Sequence, residues 1–154
     1  MVPIKEAIGS NSWLLCEYQQ YDGVYKFRLK INSFRKLDLS EIDNPEEIVN
    51  LDVNATLWIM SIELINLTKK PIHPRYGPPM LILVDQDDFS FHLFEDYHLE
   101  NGSDFSSKSG MKRFYTAELI PKVKVIGSIV FQLPDDEEAI YSIGIKENGI
   151  VQEV

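Results

Sequence analysis

Tyr25, Phe27, Leu29 and Ile31 alternate without a break with Lys26, Arg28, Lys30 and Asn32. Successive side chains of a strand point to opposite faces, so this period of two fits a strand with one face in a core and the other in water. A helix cannot satisfy it. Residues 13–18 form a second short apolar segment, and Tyr21, Asp22 and Gly23 between the two supply the positive-φ tolerance that a tight turn needs, which predicts a hairpin. Residues 51–67 extend the pattern. Thr56, Trp58, Met60, Ile62 and Leu64 fall on one face, and Leu57, Ile59, Ser61, Glu63 and Ile65 on the other. That predicts a central strand covered on both sides for much of its length, with Trp58 at the packed centre of the core.

Residues 80–84 and 89–94 read as two further strands joined by Asp85, Gln86, Asp87 and Asp88, a turn composition expected of a hairpin. The last third alternates again over residues 114–119, 123–133 and 139–145, with Pro121 and the run Pro134, Asp135, Asp136, Glu137, Glu138 between them. Residues 37–50 depart from the pattern: Asn44 as a cap, Pro45 as a first position and Glu46 and Glu47 behind it predict a short helical turn within a connection. Residues 68–79 carry four prolines and Gly77, and residues 95–110 are polar with Gly102 and Gly110, so both are expected to be loops. About eight short strands with little helix predict an all-β chain, an antiparallel sandwich or barrel. A single domain over residues 1–154 is expected, with its core at about residues 12–147.

At 154 residues, with 44% hydrophobic and 25% charged side chains, the chain can bury roughly two thirds of its unfolded surface in one core. The best apolar stretch, residues 55–67, is interrupted by Ser61 and Glu63, so no transmembrane segment is expected. The first six residues lack the basic and apolar regions of a secretory signal. The expected location is therefore cytoplasmic, or extracellular or cell-envelope if a signal has been removed. A single cysteine, Cys16, forms no internal disulfide and builds no cysteine-based metal site. The net charge of −9 opposes attraction to phosphate, which argues against nucleic acid. The acid is uneven: residues 76–107 contain Asp85, Asp87, Asp88, Glu95, Asp96, Glu100 and Asp104 and no Lys or Arg. A solvated face that aids solubility is the first reading of that stretch, and a docking surface for a basic partner the second.

Three motifs occur in order. Residues 55–72 form a strand ending in Asn66, Leu67, Thr68, Lys69, Lys70, Pro71 and Ile72. Residues 80–89 run from Met80 through Asp85 and Asp87 to Phe89. Glu118, Leu119, Ile120 and Pro121 precede Gly127, Phe131 and Pro134. Together they resemble the immunoglobulin-like domain family of bacterial secreted proteins and cell-envelope lipoproteins. The resemblance covers roughly residues 12–147 and implies an immunoglobulin-like antiparallel β-sandwich of about 7–9 strands whose function is undefined and whose matched residues are not catalytic. Pro121 then closes a bend, Gly127 permits close backbone approach or a bulge, and Phe131 fills the space between sheets. Lys122 and Asp88 stand where that family has glycine, which implies turns of a different shape at both places. The lipoprotein cysteine is also missing, since Cys16 falls within a predicted strand.

A hydrolase triad requires an imidazole base, and His73, His92 and His98 stand in no supporting motif. The chain has no Gly-x-Ser-x-Gly, phosphate-binding glycine loop, His-Glu-x-x-His or Cys-x-x-Cys. Cys16 reads as a small buried hydrophobe. Zinc ligation by His92, His98, Glu95 and Asp96, or calcium ligation by Asp85, Asp87 and Asp88, lacks the spacing of known sites, so no metal and no cofactor are expected. The expected function is non-catalytic binding of another protein by the loops at one end of the sandwich. The candidate contact residues are His73, Arg75, Tyr76, Asp87, Asp88, Tyr97 and Phe105. The alternatives are an intracellular immunity or inhibitor protein that neutralises a basic toxin or enzyme, and a small metal-dependent hydrolase. Pairing of exposed sheet edges between copies would make a third class, a subunit of an assembly, and leaves the oligomeric state open.

Overall fold

A computed structural model describes residues 1–20, 23–41, 54–72, 81–93, 118–146 and 149–153. In chain order its elements are β1 (Val2–Pro3), α1 (Ile4–Ser10), β2 (Trp13–Gln20), β3 (Gly23–Leu37), a 3-10 turn (Leu39–Glu41), β4 (Ala55–Asn66), β5 (Leu81–Val84), β6 (Ser90–Phe91), β7 (Lys124–Pro134), β8 (Ser142–Ile145) and β9 (Ile150–Glu153). Two sheets form, ordered β7-β4-β3-β2-β9 and β1-β8-β5-β6, and every strand pairing in them is antiparallel. The fold is an all-β, two-sheet sandwich, as the alternation predicts.

The hairpin β2–β3 pairs from Trp13 opposite Lys30 to Gln20 opposite Gly23. Leu14, Cys16 and Tyr18 on β2 and Phe27, Leu29 and Ile31 on β3 are all buried, so one face of the ribbon enters the core. The alternation then changes phase. Ile31 lies opposite Ile62 while Ser33 lies opposite Ser61, which leaves Asn32 as the extra residue of a β-bulge. Beyond it Phe34 is opposite Met60, so the inward positions of β3 move from odd to even numbers.

Met60, Ile62 and Leu64 of β4 and Ile129, Phe131 and Leu133 of β7 join this core, against Leu81, Leu83, Ile143 and Ile145 of the second sheet. Leu57 and Ile59 are buried on the opposite face of β4, beside Leu37 and Val130 of the neighbouring strands, so this strand is indeed covered on both faces over part of its length. Phe131, fully buried, does fill the space between sheets, and an isolated bridge from Leu93 to its backbone links the β6 side to β7.

The core reaches beyond residues 12–147. Val2, Ile4 and Ala7 enter it at one end of the chain and Val151 at the other. Helix α1 spans only seven residues with two buried positions, too few for a 3.6-residue period to stand out, which is why it escapes the sequence reading. The helical turn expected at Asn44 to Glu47 lies outside the described residues, as do the strand residues 114–117 and the loop 95–110. Of the two roles expected of Gly127, close backbone approach or a bulge, it does not take the second: Gly127 lies in regular register opposite Ile62, and the irregularity falls at Asn32.

Lys122 and Asp88 have φ of 66° and 65°, the left-handed conformation that glycine adopts most cheaply. Both turns thus hold a non-glycine residue in a backbone conformation that favours glycine. Asp88 is helped by Asp85, whose Oδ1 accepts hydrogen bonds from the Asp87 and Phe89 N–H groups at 2.9 and 3.0 Å.

Candidate functional site

The phase change in β3 has a local result at the end of the sandwich where β4 begins. Phe34, turned inward by the bulge, stacks on Trp58 with ring centroids 4.9 Å apart. Tyr141, just before β8, meets Phe34 edge-on at 6.4 Å and Phe91 at 5.8 Å. The Trp58 indole N–H donates to Thr56 Oγ1 at 2.9 Å, and that hydroxyl donates to the Leu133 carbonyl at 3.2 Å, which fixes the ring against β7.

Trp58 is therefore half-buried at the margin of the core, stacked on Phe34, and not at the core's centre as its place on a central strand suggests. The reason is positional: it lies near the start of β4, where the pocket opens beside it.

A pocket of about 330 Å³ opens beside these rings. Pro3, Ile4 and Ile8 wall it from the β1–α1 side, Pro134, Ala139 and Ile140 from the β7–β8 turn, and the charged groups Lys5, Lys36, Asp135, Asp136 and Glu137 stand around it. Lys36 Nζ is 3.8 Å from an Asp135 carboxylate oxygen, a solvent-exposed pair worth little by itself. The β7–β8 turn is held by the Glu138 N–H donating to Asp136 Oδ1 at 3.0 Å.

This turn is also tied to the β5–β6 turn, because the Ile140 N–H donates to Gln86 Oε1 at 2.9 Å. Two acidic segments far apart in sequence are thereby set side by side. The Tyr141 phenol registers their field: burial first, then the charges of Asp136 and Asp85, raise it above the usual tyrosine value.

Of the contact residues read from the sequence, Asp87 and Asp88 are exposed in the β5–β6 turn, next to the turn that rims the pocket. His73, Arg75, Tyr76, Tyr97 and Phe105 lie outside the described residues. The sequence reading missed Phe34, Lys36 and Tyr141. Phe34 is hidden by the bulge, which reverses the parity of its strand, and Tyr141 by the short polar turn in front of it.

Cys16 is fully buried and its thiol is pushed up to about 12 by that burial, which makes it inert as a nucleophile. Among the described residues no group of three or more His, Cys, Asp or Glu side chains is placed to hold a metal ion. The carboxylates of the two turns are spread over a surface and do not converge. No helix among the described residues is long and apolar enough to cross a membrane.

Fold and site together define a two-sheet antiparallel β-sandwich with a pocket at one end, lined in part by aromatic rings and by one acidic turn. In fold it is similar to a conserved hypothetical protein of Bacillus anthracis, with a TM-score of 0.52 at 13% identity over 90% of this chain and 91% of that one. A candidate lipoprotein of Bacillus subtilis matches 83% of this chain at 11% identity and a TM-score of 0.48, and this chain spans only 36% of its length. A functionally unknown protein of Listeria monocytogenes matches at 14% identity and a TM-score of 0.39 over 96% of this chain and 91% of that one. The first likeness supports the fold alone, and the other two are too weak to carry an argument. No protein-family model and no curated protein matches the chain.

Proposed function

We propose that this chain is a non-catalytic protein-binding module of bacterial type, with an immunoglobulin-like architecture and a cell-envelope or secreted setting, that engages its partner through the Trp58 end of the sandwich. The observation that carries this reading is the pocket: a mainly apolar recess with aromatic rings held by packing and by the Trp58–Thr56–Leu133 hydrogen bonds, with exposed charged residues in its lining. Interfaces favour that arrangement, in which a rigid aromatic anchor site is enclosed by polar groups that set orientation. The setting and the immunoglobulin-like description are supported by the sequence motifs of residues 55–72, 80–89 and 118–134.

The test is affinity capture from native lysate and culture supernatant with two baits, the wild-type protein and Ala139→Trp, which fills the pocket from its exposed turn. A protein retained by the first and released by the second, with matching thermal melts for both baits, supports the reading. Equal retention by both removes the pocket from the interface. The acidic turns also favour the inhibitor reading, in which a single basic protein is captured and is lost as salt rises.

A further inference from the structure

We infer that the pocket beside Trp58 receives the side chain of an arginine from a basic polypeptide, with its methylenes along the apolar walls and its guanidinium among the carboxylates of the β7–β8 turn. This rests on the binding reading above and adds the chemistry of what is bound.

Size comes first. About 330 Å³ is at the small end of ligand pockets and leaves ample room for one long side chain. The distribution of groups comes second. The lining combines rings and aliphatic carbons with five solvent-exposed charged residues, so the matching occupant has a long apolar stem and a charged head.

The sign of that head is set by the paired turns. Asp135, Asp136 and Glu137 line the pocket together with two cations, Lys5 and Lys36, and the Gln86–Ile140 hydrogen bond sets the turn that carries Asp85, Asp87 and Asp88 beside them. Acid therefore exceeds base by one charge in the lining itself, and Asp85, Asp87 and Asp88 of the adjoining turn add to that excess. Burial is the main cause of the raised Tyr141 phenol, and Asp136 and Asp85, one from each turn, add to it.

Carboxylates alone would only solubilise a surface; here they border a recess shaped for a stem. Arginine suits it better than lysine, because a planar guanidinium stacks on aromatic faces and pairs with carboxylates through parallel hydrogen bonds.

The test uses the whole chain and peptides of equal length that differ at one position, carrying arginine, lysine, citrulline or phenylalanine. Binding is followed by calorimetry and by the Trp58 indole N–H resonance at low and high salt. The arginine peptide is expected to bind about tenfold more tightly than its neutral isostere citrulline, with lysine between them. The pair Asp136→Asn with Glu137→Gln should abolish that preference; asparagine at 136 retains the acceptor that fixes the turn. The pair Glu17→Gln with Glu118→Gln, which removes the same charge at the Asn66 end of the sheet, should leave it intact.

Equal affinity for arginine and citrulline, or equal loss in both double variants, overturns the inference. Preference for the phenylalanine peptide overturns it too, yet leaves the binding reading standing. If no peptide moves the indole resonance and Ala139→Trp still retains every captured protein, both readings fall.

Discussion

Replacing Asn66 by alanine should cost about 3 kcal/mol, and the structure shows where each part of that figure arises. Asn66 ends β4 almost fully buried, at 2% exposure. Its Nδ2 donates to the carbonyls of Lys70 at 3.0 Å and Leu119 at 2.9 Å, and its Oδ1 accepts from the Thr68 N–H at 2.8 Å. With two carbonyls on one side and an N–H on the other, the amide fits in one orientation only. At roughly 1 kcal/mol net for each hydrogen bond the three sum to about 3 kcal/mol.

Two corrections act in opposite directions. The Leu119 carbonyl keeps a second donor, the Ile72 N–H at 3.1 Å, while the Thr68 N–H and Lys70 carbonyl lose this partner at a part-buried site. The assay is equilibrium urea unfolding followed by tryptophan emission. With a slope of about 2 kcal/mol/M, the midpoint should fall by about 1.5 M, within the stability of a typical domain. Asn66→Asp should be comparably destabilised near neutral pH, because it retains the acceptor for Thr68 but points an anion at two carbonyls. A loss below about 1 kcal/mol for Asn66→Ala at unchanged slope would refute the reasoning.

Two further outcomes follow from the same physics. Burial raises the Cys16 thiol from 9.0 to about 12, so between these values the unfolded chain releases a proton that the folded chain keeps. The stability linked to Cys16 is thus fully present below pH 9 and is lost as pH rises toward 12, at up to about 1.4 kcal/mol per pH unit. Parallel urea titrations of wild type and Cys16→Ala should show the gap between them shifting in the variant's favour over that window; a constant gap would contradict it. Lys122→Gly should raise stability by about 0.5 kcal/mol, since relief of the left-handed backbone exceeds the added entropy of the unfolded chain. Lys122→Ala should bring no gain, and urea midpoints for the two variants decide the point.

The sheet framework was legible wherever a strand has one wet and one dry face. The β2–β3 hairpin and the long β4 could be read because Tyr25 to Ile31 and Met60 to Leu64 obey a strict period of two. The candidate site was less legible for reasons particular to its parts. Phe34 stands out of phase with Ile31, and nothing local to Asn32 announces the extra residue. Tyr141 becomes a wall of the pocket through contacts with Phe34 and Phe91, residues far from it in the chain. Trp58 was visible as an aromatic on a central strand, but its place at the core's margin depends on the long-range packing of Phe34 and the pocket walls against it. The union of the two acidic turns depends on one long-range hydrogen bond, and sequence alone showed them as separate runs.

The extra residue in β3 also bears on how this chain can change length. Removing Asn32 would let Ser33 take the outward place between Ile31 and Phe34, so both of those side chains would keep their faces and a regular ladder would result. Loss of one residue within the regular stretch from Phe27 to Ile31 would instead turn part of the strand inside out. Single-residue gaps between this chain and relatives of the same architecture should therefore collect at Asn32, which makes that position the natural anchor for aligning sequences too divergent to be matched by identity.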